Sequence, residues 1–180
     1  MKATGIVRRI DDLGRVVIPK EIRRTMRIRE GDPLEIYTSR EGEVIFKKYS
    51  LLGGLEDFAS QLCETMSRST GAICAVTDRD TVIAIAGGGK RELMGKHITA
   101  ALEQVMESRR IYQLTAGGQP IAVSDSAASF SAAVAAPILA EGDLLGMVLF
   151  ITTDPTQLPG DAELKLAQTV AAFLGRHMEG

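Results

Sequence analysis

Leu13-Gly14-Arg15-Val16-Val17-Ile18-Pro19-Lys20-Glu21-Ile22-Arg23-Arg24 is the stretch that decides how the N-terminal part of this chain folds. Apolar residues at positions 6, 10 and 16–18 flank the turn signal Asp11-Asp12-Leu13-Gly14, which predicts two short strands joined by a tight turn. Pro19 suits the first turn of a helix, because its missing N–H costs nothing there. Gly31-Asp32-Pro33 is then expected to end that helix after about two turns.

Two further strands are predicted downstream, at 34–38 and 43–48, because their apolar residues alternate. Ser39-Arg40-Glu41-Gly42 separates them as the turn of a hairpin. A unit of four short strands and one short helix buries little apolar surface by itself. We therefore expect the N-terminal unit to require a partner chain.

Charge divides the chain into two parts of opposite sign. Residues 1–50 carry twelve Lys and Arg against eight Asp and Glu, a net of +4, whereas residues 51–180 carry nine against fifteen, a net of −6. A basic segment on an otherwise acidic protein suggests a polyanion partner held at one end of the molecule. A basic cluster can also be no more than a solvated surface, so charge alone leaves nucleic acid binding open.

The positive charge near the opening stretch comes mainly from arginine. Arg presents a rigid fork of donors that binds phosphate or the edge of guanine in a bidentate manner, which favours specific polyanion contact over simple solubility. Asp11 and Asp12 lie among these arginines, and we interpret them as shaping the turn and orienting guanidinium groups. The arginines concerned are Arg8, Arg9, Arg15, Arg23 and Arg24.

The remainder of the chain is predicted to be a separate domain at 55–180, joined to residues 1–50 by a linker at 51–54 that contains Gly53-Gly54. Apolar residues at helical spacing predict a helix from Leu55 to near Gly71. The predicted elements that follow are strands at 72–76 and 81–86, a helix at 99–110, a short strand near 121, strands at 132–139 and 144–151, and a final helix with Asp161 as N-cap. Helix, hairpin, helix, hairpin and helix describe an α+β sandwich.

No residue pattern in the chain predicts catalysis or a cofactor. Gly87-Gly88-Gly89-Lys90 resembles a phosphate-binding loop, yet Ala84 and Arg91 stand where that motif requires Gly and Ser or Thr. The two histidines and two cysteines lack partners at metal-ligand or triad spacing. We therefore expect a protein that is not an enzyme and has neither a metal nor a cofactor.

The sequence also favours a cytoplasmic location without membrane contact. Its N-terminus runs into charged residues with no apolar segment of the kind found in secretory signals. The longest apolar run, 132–140, is nine residues and contains Pro137, whereas a membrane-spanning helix needs about 20 residues. Cys63 and Cys74 are interpreted as small buried residues in a reducing compartment.

Residues 4–24, followed by Gly31-Asp32, Leu34-Glu35-Ile36 and Lys47-Lys48-Tyr49, resemble the AbrB-type swapped-hairpin DNA-binding domain. The resemblance implies a homodimer in which hairpins of two chains interleave into one small β-barrel. It also implies loosely defined AT-rich operators on double-stranded DNA, read largely through shape and deformability. The positions that match DNA-contacting arginines of the family are Arg8, Arg15, Arg23 and Arg24, with Arg9 a weaker candidate.

The C-terminal half resembles a GAF domain, an α/β/α sandwich that senses small molecules. The Asn-Lys signature of cyclic-nucleotide-binding members is absent, because the chain contains no Asn, and the ligand-binding residues stay unknown. The first and last helices of this half are amphipathic, so it could serve to pair dimers into homotetramers, with or without sensing a ligand.

The chain as a whole resembles transcription regulators of sporulation that act as repressors and activators. Two other functions remain open from the sequence. An antitoxin-like adaptor would use the same swapped barrel to hold a protein, although such a protein would be expected to have a charged, extended tail. A small-molecule-binding module with only incidental DNA contact would place the main activity in the C-terminal half.

Overall fold

The computed structural model describes residues 4–179. The chain forms two compact units, Met1–Tyr49 and Ser50–Gly180. Among residues 4–179, no helix has the length and apolar character needed to cross a membrane.

The N-terminal unit contains one short helix and one β-hairpin. Helix α1, Lys20–Thr25, starts directly after Pro19, and Met26 is its C-cap. Strands β1, Leu34–Thr38, and β2, Val44–Lys48, are antiparallel, with Ile36 opposite Phe46. The short length of the helix and the downstream hairpin are confirmed, but Pro19 is the N-cap and not part of the first turn, and the helix ends before Gly31-Asp32-Pro33.

The two strands predicted around the first turn are not present in the single chain. Residues 4–19 contain the expected turn at 12–14 but no strand. Most of their apolar side chains are exposed, with Val7 at 90%, Ile10 at 70% and Val17 at 71%. A strand requires a neighbouring strand for its backbone hydrogen bonds, and nothing within the described part of this unit supplies one. The described part of the N-terminal unit of one chain therefore forms a two-stranded sheet and not a closed barrel.

The C-terminal unit is a five-stranded antiparallel sheet with helices on both faces. The elements are α2 Glu56–Thr70, β3 Ile73–Thr77, β4 Val82–Ala86, α3 Lys90–Leu93, α4 Ala100–Glu107, β5 Tyr112–Gln113, β6 Ser131–Ala140, β7 Asp143–Thr152 and α5 Asp161–Met178. Neighbouring strands are hydrogen-bonded in the spatial order β4-β3-β7-β6-β5. The expected α/β/α sandwich is confirmed.

Each face of this sheet has its own hydrophobic core. Helices α2 and α5 cover one face, where Cys63, Phe150 and Leu174 are buried together. Leu102 and Met106 of α4 pack on the other face. Strands β6 and β7 lie at the centre of the sandwich and are buried on both sides, as their unbroken apolar runs predict.

Several local features differ from the predictions. Helix α5 is capped by Gly160 and not by Asp161, and the Gly160 N–H donates to Glu163 Oε2 at 3.0 Å. The strand expected near position 121 is only a bridge between Ala122 and Ser131. Helix α3 was not predicted, because four residues are too few to show a hydrophobic period.

The segment predicted as a linker, 51–54, is partly built into the C-terminal unit. Leu52 is 1% exposed and belongs to the core beneath α2 and α5. The Gly53 N–H donates to the Ser50 carbonyl at 2.9 Å, which closes a tight turn before α2. The boundary between the compact units falls between Tyr49 and Ser50.

Candidate nucleic-acid interface

The four arginines predicted to contact DNA are all exposed on the N-terminal unit. Arg8 precedes the first turn, and Arg23 and Arg24 occupy the last turn of α1, where positive charge also favours the helix C-terminus. Within residues 4–179, Arg8, Arg23 and Arg24 form no ion pair with an acidic side chain. Their guanidinium groups are therefore available to an external anion.

Arg15, the fourth of these arginines, lies at the end of the first turn, and its backbone closes that turn. The Asp11 N–H donates to the Arg15 carbonyl at 3.1 Å, and the Gly14 N–H donates to the Asp11 carbonyl at 3.1 Å. The Asp11 side chain reinforces this turn, since its Oδ1 accepts from the backbone N–H groups of Leu13 at 3.0 Å and Arg15 at 2.8 Å. Gly14 has a φ of +76°, which an L side chain adopts only with strain.

Asp11 also binds the Arg15 side chain. Arg15 Nε donates to Asp11 Oδ2 at 2.7 Å, while the Arg15 side chain stays 69% exposed. The hydrogen bonds from the Arg15 backbone and side chain, together with that from Leu13, hold the pKa of Asp11 below its usual value, so the carboxylate is charged at neutral pH. The expectation that this acid shapes the turn and orients a guanidinium is confirmed for Asp11.

A second charged group fixes the segment that follows α1. Lys48 Nζ, on β2, donates to the Arg27 carbonyl at 2.8 Å and lies 3.7 Å from Asp32 Oδ2. That carboxylate, only 5% exposed, also accepts from the Arg29 N–H at 2.8 Å. These contacts tie the hairpin to the chain after α1. Sequence spacing gave no sign of them, because Lys48 and Arg27 are 21 positions apart.

The C-terminal unit has a shallow groove beside helix α4. The groove, of about 740 Å³, lies between α4 and residues 119–125, and its polar lining includes Gln104, Ser108 and Asp125. Among residues 4–179, no group of three or more His, Cys, Asp and Glu side chains could hold a metal ion. Burial raises the pKa of both Cys63 and Cys74 to about 12, which keeps these thiols protonated and unreactive.

An aromatic cluster lies on the helical face of this unit. The ring centroids of Phe58 on α2 and Phe173 on α5 are 5.9 Å apart. His177 stacks on Phe58, with centroids 5.2 Å apart and ring planes 28° apart. Phe173 is nonetheless 48% exposed, so the cluster presents apolar surface on the outside of the two helices.

Comparison with known proteins identifies the family. Residues 54–179 match the family described as stage V sporulation protein T C-terminal, transcription factor. Stage V sporulation protein T of Bacillus subtilis (strain 168) is 46% identical over 179 residues, which cover 99% of each chain. The chain belongs to the stage V sporulation protein T family.

The two units of this family member have further relatives. The transition state regulatory protein AbrB of Bacillus subtilis (strain 168) is 63% identical over 49 residues, 27% of this chain and 50% of that protein. Residues 7–50 also match the family described as antidote-toxin recognition MazE, bacterial antitoxin.

The fold of the C-terminal unit resembles that of GAF domains. The GAF domain/HD domain protein from Geobacter sulfurreducens is 16% identical and superimposes with a TM-score of 0.50, over 73% of this chain and 99% of that one. At this identity the similarity establishes the fold alone.

Proposed function

We propose that this protein is a DNA-binding transcription regulator of sporulation genes, both repressor and activator, that contacts AT-rich double-stranded DNA through Arg8, Arg15, Arg23 and Arg24. The observation that carries the proposal is the exposure of these arginines in a unit that is 63% identical to the transition state regulator AbrB. Arginines neutralise phosphates and enter a groove, so binding is the whole of the mechanism and no catalytic step is involved. A protein acting on chromosomal DNA in this way works in the cytoplasm.

The proposed DNA-binding form is a homodimer made by the N-terminal units. Six apolar side chains of residues 4–19 are more than two-fifths exposed in one chain: Ile6, Val7, Ile10, Leu13, Val16 and Val17. Pairing these residues with the same segment of a second chain would bury them and supply the missing strand partners. A swapped β-barrel of two chains meets both requirements.

The C-terminal units are proposed to join two such dimers into a homotetramer. The supporting feature is the aromatic cluster of Phe58, Phe173 and His177, because exposed aromatic surface of this kind is enriched at protein interfaces. Two barrels in one tetramer could engage neighbouring sites and gain affinity by avidity. A small-molecule ligand of the GAF-like unit would add sensing to assembly, and the groove beside α4 is one place for it.

An antitoxin-like adaptor is the second candidate, favoured by the match of residues 7–50 to the MazE family. In that case the N-terminal unit would hold a toxin protein. The ordered apolar cores of the C-terminal unit weigh against it, since a charged, extended tail is expected of such an adaptor.

Fluorescence anisotropy of a labelled AT-rich duplex, titrated at several salt concentrations, tests the proposal. We expect tight binding whose log affinity falls steeply with log salt, by at most about 0.9 per phosphate contact. Arg23→Ala should weaken binding, whereas Arg40→Ala, which removes an exposed arginine from the β1–β2 turn, serves as the matched control. Equal affinity of both variants and the wild type would refute the assignment of Arg23, and absence of binding by the full chain would favour the adaptor.

A further inference from the structure

The contact between Asp11 and Arg15 has an electrostatic cost at a DNA-binding surface. A carboxylate near phosphates repels them and removes part of the attraction that Arg15 would otherwise supply. The turn itself does not require that charge, because a neutral amide oxygen at Oδ1 would still accept from the N–H groups of Leu13 and Arg15, although more weakly than a carboxylate. The second carboxylate oxygen of Asp11, Oδ2, accepts a hydrogen bond from Arg15 Nε at 2.7 Å.

We propose that Asp11 is a positioning residue that makes Arg15 selective for the edge of a base, guanine in particular, at the expense of non-specific phosphate affinity. The inference rests on the proposed function, in which Arg15 contacts DNA. Asp11 itself does not touch the DNA and acts only through Arg15.

The geometry of guanidinium explains the selectivity. Arg has five N–H donors in a planar fork, and in this protein the Nε donor is occupied by Asp11. Among residues 4–179, no acceptor engages the terminal Nη donors of Arg15, and the side chain is 69% exposed, so an external acceptor pair can still be bound by both Nη groups as a pair of donors. Such a pair matches the O6 and N7 acceptors of guanine in the major groove, a contact that discriminates against other bases by about tenfold or more.

Restraint by Asp11 adds to this selectivity. A long side chain that is held before binding loses less rotamer freedom when it docks, which favours the single geometry that a base edge demands. An unrestrained Arg15 would reach several phosphate oxygens instead, because the backbone presents them at many positions. A few G·C pairs at fixed places would then set the register within otherwise AT-rich sites.

Asp12 provides a matched control for charge. It lies in the same turn, is exposed, and forms no hydrogen bond or ion pair within residues 4–179. Asp12→Asn and Asp11→Asn therefore remove the same charge from nearly the same place. Only Asp11→Asn also places an amide N–H₂ or a neutral oxygen where Arg15 Nε now finds a carboxylate.

The test is selection of bound duplexes from a randomised pool by the full-length chain, followed by sequencing, with affinity for the unselected pool measured at several salt concentrations. For Asp11→Asn we expect loss of a guanine preference seen with the wild type, a rise of about threefold to tenfold in affinity for the unselected pool, and a steeper salt dependence, by up to about 0.9 in slope per phosphate gained. Asp12→Asn should keep the guanine preference. These opposite shifts in selectivity and affinity cannot result from a simply weakened fold.

Arg15→Lys gives the same test without altering Asp11. Lysine keeps the charge but lacks the planar fork, so affinity for the unselected pool should persist while the guanine preference is lost. An unchanged preference in Asp11→Asn, an equal loss in Asp12→Asn, or a wild-type pool without guanine preference would overturn the inference. If Arg15→Ala binds every duplex as the wild type does, the DNA contact proposed for Arg15 fails first, and the inference fails with it.

Discussion

Gly175 of α5 packs so closely on Leu139 of β6 that a Cβ atom at position 175 would overlap the Leu139 carbonyl oxygen. Gly175 is buried in the last turn of α5, and glycine is the poorest helix former after proline. The glycine is explained by this close approach of helix and strand, which places α5 against the backbone of the sheet.

Gly175→Ala separates packing from helix propensity. Propensity alone predicts stabilisation by up to about 1 kcal/mol, whereas overlap with a backbone carbonyl predicts destabilisation by about 1–3 kcal/mol. We expect the packing effect to dominate, and denaturant unfolding of the C-terminal unit measures it. Ala172→Gly, on the exposed side of the same helix, is the control and should cost about 1 kcal/mol. A more stable Gly175→Ala variant would contradict the close approach.

Leu52→Ala tests how the chain enters the C-terminal unit. Because Leu52 is 1% exposed within the α2/α5 core, we expect the substitution to lower the free energy of unfolding of this unit by about 2–5 kcal/mol. Thermal and denaturant unfolding of Leu52→Ala and the wild type would measure this loss of stability. Leu158→Ala, at a loop position that is 47% exposed, should be nearly neutral. Equal stability of both variants would mean that 51–54 is a free linker.

The two buried thiols predict a loss of stability at alkaline pH. Burial raises the pKa of Cys63 and Cys74 from 9.0 to about 12 in the folded state. Below pH 9 the thiols are protonated in both the folded and the unfolded state, so their ionisation does not lower the stability. Between pH 9 and 12 the thiols ionise only in the unfolded state, which favours unfolding. The free energy of unfolding should therefore fall by up to about 1.4 kcal/mol per pH unit for each thiol.

The Cys63→Ala/Cys74→Ala variant isolates this contribution from that of other groups titrating at high pH. Its unfolding free energy, measured from pH 8 to 11, should decline less steeply than that of the wild type. Parallel pH profiles would show that the thiols ionise with equal ease in both states.

Phe173→Glu tests the proposed assembly of the C-terminal units. The side chain is 48% exposed in one chain, so the fold should tolerate the change, but a carboxylate buried in an interface without a partner costs several kcal/mol. We expect the dissociation constant of the tetramer to rise by about a hundredfold or more, with dimers remaining. Analytical ultracentrifugation would measure this, and Ile111→Glu, 40% exposed before β5, is the control. A Phe173→Glu variant that remains tetrameric would exclude this face.

The sequence predicted the elements of the C-terminal unit well, because each helix and strand there is defined by the spacing of apolar residues within its own segment. The apolar spacing from Leu55 onward defined α2, and its predicted end near Gly71 is confirmed, since Gly71 is the C-cap. The cap of α5 was harder, since Gly160 offers no side chain and depends on Glu163 three residues later.

Features that depend on distant residues were missed. No local signal indicates that Leu52 packs into the core or that Lys48 binds the Arg27 carbonyl, because each contact joins segments separated in sequence. The strands expected on either side of Asp11-Asp12 failed for a related reason: alternation and turn residues define a candidate strand, but only a neighbouring strand completes it. Arg15 was predicted as a DNA-contacting residue through the family resemblance, and Asp11 was expected to orient a guanidinium, whereas the particular bond from Arg15 Nε to Asp11 Oδ2 required the structure.

The exposed apolar side chains at the start of the chain make the proposed regulator sensitive to its own abundance. If that segment reaches its final form only by pairing with a second copy, folding of the DNA-binding unit is a bimolecular event. At concentrations below the dimer dissociation constant, the amount of competent protein then grows with the square of the amount synthesised. A modest increase in expression would thus produce a disproportionate increase in occupied operators, a threshold response that requires no ligand.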